Sequence, residues 1–147
     1  MRAVVQRVDE AEVTVLGATT GKIGKGLLVY LGAGKGDTKE SRDYVLSKIA
    51  NLRIFENEAG KMDKSVVDVG GALLVVSQFT LYGDVRRGRR PSFDDAMPPE
   101  EAERAYDAFV SEARALGLVV ETGRFRATMH VKSINSGPVT IWIDSAK

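Results

Sequence analysis

Gly71-Ala72-Leu73-Leu74-Val75-Val76-Ser77-Gln78-Phe79-Thr80-Leu81 is the stretch that decides the architecture. Ala72 to Val76 carries no polar face, so the segment predicts a central strand buried on both sides. The apolar run then stops on two hydroxyls and an amide, Ser77, Gln78 and Thr80. Hydroxyls at a strand end commonly cap the backbone through side-chain hydrogen bonds, the reading taken here for Ser77. For Thr80 that reading and a catalytic one stand about even. The N–H groups freed at Gln78-Phe79-Thr80 could also point at a developing oxyanion.

Working outward, Val4-Val5-Gln6-Arg7-Val8 and Glu12-Val13-Thr14-Val15 predict two β-branched strands separated by an acidic turn, and Gly26 to Gly32 a buried strand. The Gly- and Lys-containing stretches 17–22 and 32–37 read as hairpin turns. From Thr38 the period changes: Val45, Ile49 and Leu52 share one helical face, with Thr38 or Asp37 as the cap. A strand over 52–55 and a polar hairpin through Gly60-Lys61-Met62 follow.

On the other side, residues 82–98 form a long loop, a length that points to function. A second helix starts near Pro99 and buries Ala102, Tyr106, Phe109, Val110 and Ala113 before Gly117 ends it. Strands are predicted over 118–121, 127–134 and 139–143. Between the last two, Asn135-Ser136-Gly137-Pro138-Val139-Thr140 predicts a tight turn and a candidate cis peptide. A cis Gly-Pro would turn two consecutive carbonyl oxygens the same way, making a rigid acceptor wall. Two helices among many strands imply one α+β domain, residues 1–147, whose mixed sheet curls or closes into a barrel-like form with the helices packed on it.

Composition narrows the chemistry. With no cysteine, disulfides and thiolate catalysis are excluded, and the single histidine, His130, rules out a His-rich metal site. No P-loop spacing and no strand-G-x-G-x-x-G-helix arrangement is present. The G-x-S-x-G elbow is missing, and His130 alternates with Lys132 on an outward strand face, so a Ser-His-Asp triad is disfavoured. The N-terminus turns polar too early for a signal peptide and no run reaches membrane-spanning length, which makes a cytoplasmic location the expectation. Net charge is only +1. Even so, Arg86, Arg87, Arg89 and Arg90 crowd around Gly88 and can build a local positive patch.

Ser77-Gln78-Phe79-Thr80-Leu81 and Asn135-x-Gly137-Pro138-Val139-Thr140 match the two signatures of the D-aminoacyl-tRNA deacylases, and the chain closely resembles that family. Val5-Gln6-Arg7-Val8, Arg53-Ile54-Phe55, Gly60-Lys61-Met62, Gly88 to Phe93 and Thr122-Gly123-Arg124-Phe125 add matches in the same order. Ser136 and Asp63 stand where an acid and an asparagine are frequent.

The resemblance implies hydrolysis of the ester of D-aminoacyl-tRNA, with glycyl-tRNA (mischarged on tRNA(Ala)) as a side substrate. It implies a homodimer in which Gly137-cis-Pro138 of one subunit enters the pocket formed by Ser77, Gln78, Phe79 and Thr80 of the other. Arg7 would orient the Gly-Pro segment, Met129 would line the adenosine pocket, and Asn135, Val139 and Thr140 would support the motif. No cofactor or metal is implied. Arg86, Arg87, Arg89 and Arg90 are candidate tRNA contacts. Either Thr80 or the 2′-OH of the tRNA could initiate hydrolysis; the second is favoured, because no base is visible beside Thr80. The rival readings are an RNA-binding module without catalysis, a sister deacylase that clears L-alanine, and a generic esterase.

Overall fold

In the computed structural model, which describes residues 1–147, the long N-terminal strand explains most of the topology. β1 (Arg2–Val15) is one strand of 14 residues and not two. Its inward residues are Ala3 and Val5, then Val8, then Ala11, Val13 and Val15. The alternation changes phase around Arg7, where the pairing with the last strand slips between Gln6 and Val8 and again between Val8 and Glu10. A register shift reverses the face a strand buries, so no turn is required, and Asp9 and Glu10 stay in solvent on the uninterrupted strand.

A tight turn at Leu16-Gly17, both at positive φ, leads into β2 (Ala18–Ile23), the hairpin expected near Gly17. β3 (Gly26–Gly32) returns alongside β1. Residues 32–37 do not form a hairpin. The next sheet neighbour of β3 is β6 (Ala72–Ser77), which runs parallel to it, and a parallel pair needs a long crossover. That crossover carries α1 (Lys39–Asn51) and the small hairpin of β4 (Phe55–Glu56) and β5 (Met62–Lys64). Thr38 caps α1 through a reciprocal box with Ser41. Asp37 instead accepts hydrogen bonds from Gly34 N (2.7 Å) and the N-terminal ammonium.

After β6 come a 3₁₀ turn (Phe79–Tyr82), α2 (Pro99–Ala115), β7 (Val119–Thr122) and β8 (His130–Asp144). The main sheet runs β2-β1-β3-β6-β7, with β8 on the remaining side of β1. Because β3 and β6 are buried on both faces, alternate residues serve different cores. Leu27, Val29, Leu31, Leu73 and Val75 pack toward the helices; Leu28, Leu74 and Val76 pack against Val8, Ala11, Val13 and Ile23. The sheet curls until β2 nearly meets β7. A β-carbon at Gly21 would sit 2.4 Å from Thr122 O, so only glycine permits that seam. The fold is therefore α+β, with a nearly closed barrel-like mixed sheet and two helices.

The predicted face of α2 is the buried one: Ala102, Tyr106, Phe109, Val110 and Ala113. Fully buried Phe109 contributes about 1.5–3 kcal/mol. Arg42 joins the helices through a two-pronged pair with Glu112, both contacts 2.9 Å.

The C-terminal segments predicted as two strands with a turn between them form the single strand β8. Both arms run antiparallel along β1, from Thr14↔His130 to Val8↔Asn135 and from Gln6↔Thr140 to Arg2↔Asp144. Residues 136–139 therefore bulge out opposite Arg7. Proline has no N–H for the ladder, so the interruption falls at Gly137-Pro138, while β1 holds both arms in line. No helix of the chain is long and apolar enough to cross a membrane.

Candidate functional site

β6 is a parallel strand, and its carboxyl end opens into a cavity of about 660 Å³. Val76, Ser77, Gln78 and Phe79 form one wall, and Met97, Pro99, Ala102 and Tyr106 at the start of α2 another. Phe93, from the loop before α2, and Phe125, Arg126, Ala127 and Met129, from the segment before β8, complete it. The size and the mostly apolar lining suit a small organic ligand held by a few polar groups.

The strand end is satisfied by backbone alone. Gln78 N donates to Leu31 O (2.8 Å) and Leu81 N to Gln78 O (3.3 Å). The capping expected of Ser77 is not found: its hydroxyl has no hydrogen bond within the chain, because the 3₁₀ turn supplies the cap and leaves Ser77 facing the cavity. The side chain of Thr80 is exposed, and its Oγ1 accepts from Gln78 Nε2 at 2.5 Å. No carboxylate, imidazole or amine bonds to it. The N–H groups of Phe79 and Thr80 open the turn, where helical donors lack an acceptor in their own helix. Phe79 is 54% exposed and meets Phe93 edge to face, ring centroids 5.0 Å apart.

Gly137 and Pro138 are absent from this cavity. Their peptide bond is cis, and both residues are exposed on the β8 bulge. The bulge is tied at its base. Arg7 Nε donates to Ser136 O (2.9 Å) and Arg7 Nη1 to Ile54 O (2.7 Å). Asn135 Nδ2 donates to Arg7 O (3.0 Å) and Val139 O (3.3 Å), and Gln6 Nε2 to Thr140 Oγ1 (3.2 Å). Val139 is buried beneath. A β-carbon at Gly137 would stand 2.5 Å from Val139 N. The predicted site residues thus fall into two groups. Ser77, Gln78, Phe79 and Met129 line the cavity, with Thr80 next to them on the turn. Arg7, Asn135, Gly137, Pro138, Val139 and Thr140 gather at the bulge.

Of the arginine cluster, Arg86 is engaged locally. It donates to both Asp84 oxygens, and this pairing holds the Asp84 carboxyl down to about 2. Arg87, Arg89 and Arg90 are exposed around Gly88 and take part in none of the ion pairs of the chain. His130 is exposed and pairs with Thr14 through the backbone ladder. No group of three or more His, Cys, Asp or Glu side chains is placed to hold a metal ion. Tyr106 donates to Val75 O (2.6 Å), and burial pushes its phenol pKa up.

Sequence reasoning missed Phe93, Phe125, Arg126 and Lys35 as cavity residues. All four sit on loops, where no period marks them. The one available signal was that Phe93 and Phe125 belong to the blocks Gly88 to Phe93 and Thr122 to Phe125.

The model of the family described as D-Tyr-tRNA(Tyr) deacylase matches residues 4–144. A D-aminoacyl-tRNA deacylase of Koribacter versatilis is 60% identical over 147 residues, covering 100% of this chain and 99% of that protein. One from Thermotoga petrophila is 58% identical with the same coverage. Among solved structures, that of c-Myc DNA Unwinding Element Binding Protein superposes with a TM-score of 0.92 at 44% identity, covering 98% of both chains. A structure described as a probable eukaryotic D-amino acid tRNA deacylase gives 0.83 at 18% identity, with coverage of 97% and 98%, a likeness of fold.

Proposed function

The chain belongs to the D-Tyr-tRNA(Tyr) deacylase family, and on that premise we propose that residues 1–147 act as one domain that hydrolyses the ester of D-aminoacyl-tRNA in the cytoplasm. Water adds to the ester carbonyl, the carbon–O3′ bond breaks, and the ribose oxygen takes a proton, releasing the free D-amino acid and tRNA.

The observation that carries the mechanism is the separation of the two groups of site residues. The cavity at Ser77–Thr80 is concave and lacks a chiral selector. The Gly137-Pro138 bulge is convex, exposed and braced from behind by Arg7. A two-fold homodimer completes both sites with one reciprocal contact. The outer edge of β8, which pairs only with β1, and the half-exposed Ile134 and Trp142 on it supply unpaired surface for that contact.

In the assembled site the terminal adenosine occupies the apolar cavity against Met129, and Phe79 packs near the aminoacyl group. The α-ammonium meets the carbonyls of the partner's Gly-Pro segment, and the ester oxygen faces the N–H groups of Phe79 and Thr80. A D-side chain projects outward unread. An L-residue would drive its β-carbon into the carbonyl wall, so selection works by exclusion. Glycine has no β-carbon, and glycyl-tRNA, including that mischarged on tRNA(Ala), is a side substrate. The Thr80 hydroxyl has an amide and no base beside it, which supports initiation by the 2′-OH of the terminal ribose, the protein supplying position and electrostatics. Arg87, Arg89 and Arg90 meet tRNA phosphates; Arg86, held by Asp84, shapes their loop.

Hydrolysis of D-tyrosyl-tRNA and L-tyrosyl-tRNA, followed side by side at neutral pH, tests this reading. Rapid loss of the D-ester alone is expected. Loss of neither ester by folded protein would leave RNA binding without catalysis as the better reading.

A further inference from the structure

Lys35 and Arg126 are the only ionisable side chains of either sign, apart from the Tyr106 phenol, among the residues lining the cavity; no carboxylate lines it. Neither takes part in an ion pair or a side-chain hydrogen bond within the chain. Two unpaired cations at an otherwise uncharged, mostly apolar set of lining side chains are what an amphiphilic anion requires: an apolar body inside and a charged group at the rim.

Both cations are carried on defined backbone. Lys35 N donates to Asp95 O (2.9 Å), Gly34 pairs with Ala96 in a bridge, and Gly34 N is held by Asp37. Arg126 has φ 64, and the only other non-glycine residue at positive φ is Leu16 in the β1–β2 turn. An L-residue held in that region is disfavoured locally, a type of strain that recurs at ligand clamps. Glycine would make the same turn without strain, but it would bring no guanidinium to the cavity.

We propose that Lys35 and Arg126 form a subsite for the 5′-phosphate of the nucleotide whose base and sugar fill the cavity. The inference rests on the nucleotide reading of the cavity given above. In that arrangement the phosphate link to the preceding nucleotide leaves the cavity between the two cations. They are positioning residues that fix how deep the 3′ end sits, and therefore where its ester carbonyl stands relative to Phe79 and Thr80.

Calorimetric binding of adenosine 5′-monophosphate and of adenosine to the intact protein tests the subsite without relying on turnover. The monophosphate should bind at least about tenfold more tightly, the effect of one charge-assisted contact. The Lys35→Gln/Arg126→Gln variant should bind the two ligands equally while keeping the wild-type affinity for adenosine. A triple Arg87→Gln/Arg89→Gln/Arg90→Gln variant should keep the preference. Equal binding of both ligands by the wild type, or a preference that survives Lys35→Gln/Arg126→Gln, would overturn the subsite. Failure to cleave D-tyrosyl-tRNA, with the monophosphate preference intact, would overturn the deacylase reading and leave the subsite standing.

Discussion

The cavity at the end of β6 and the bulge on β8 are built on opposite principles. The cavity rests on a strand buried on both faces, flanked by parallel neighbours and covered by α2. Its shape is a by-product of a core that must form anyway. The bulge has no core of its own: four residues leave the ladder opposite Arg7, only Val139 reaches the main core, and the rest are kept in place by side-chain hydrogen bonds from Arg7 and Asn135. In the function proposed above, one region is a receptacle without a selector and the other a selector without a receptacle. Their separation within one chain is the physical reason for proposing that the working site lies between two chains.

That contrast can be broken most severely at the bulge. In Gly137→Ala the added β-carbon meets Val139 N at 2.5 Å and Asn135 Oδ1 at 3.1 Å. Hydrolysis of the D-ester should fall about 100-fold or more, the scale of a displaced positioning group, while far-UV circular dichroism stays that of the wild type. Arg7→Ala comes next. It removes the donors to Ser136 O and Ile54 O, and should lower D-over-L discrimination about tenfold and stability by about 1–3 kcal/mol in urea unfolding.

A change confined to the cavity side should be milder and pH-dependent. Burial raises the Tyr106 phenol above its ordinary value of 10.0, so the folded chain keeps a proton that the unfolded chain loses. The stability linked to it is whole below about pH 10 and is lost as pH rises beyond. Tyr106→Phe should flatten the fall of Tm from about pH 10 upward, at a neutral-pH cost of about 0.5–1.5 kcal/mol for the bond to Val75 O. Smallest of all, Thr80→Ala should keep activity within about threefold, since no base activates the hydroxyl. A loss of several hundredfold with folding and binding intact would make Thr80 the nucleophile.

The same contrast separates what was legible in the sequence from what was not. The cavity side follows local rules. The apolar run 72–76 gave the buried strand, the spacing of Ala102, Tyr106, Phe109, Val110 and Ala113 gave the face of α2, and Thr38 gave the cap of α1. The bulge side depends on pairing between distant segments. Asp9-Glu10 and Gly137-Pro138 both look like turns, yet each lies within a long strand, because β1 and β8 hold one another straight across the irregularity. Residues 32–37 were misread for a related reason: glycine-rich segments suit a hairpin or a crossover equally, and the parallel partner β6 decides which. The site motifs themselves were visible as sequence, but that their two groups lie apart in one chain was implied only by the family resemblance and not by the residues' own patterning. The cavity cations Lys35 and Arg126 sit on aperiodic loops and carried no signal.

Subunit complementation tests the central claim most directly. Gly137→Ala disables the bulge, and Ala127→Trp fills the cavity; each protein alone should be nearly inactive toward D-tyrosyl-tRNA. After mixing, unfolding and refolding, half the dimers are hybrids, and each hybrid carries one intact site made of one cavity and the other chain's bulge. Activity should return to about a quarter of the wild-type value. A mixture that stays as inactive as its components would contradict the account and confine the site to a single chain.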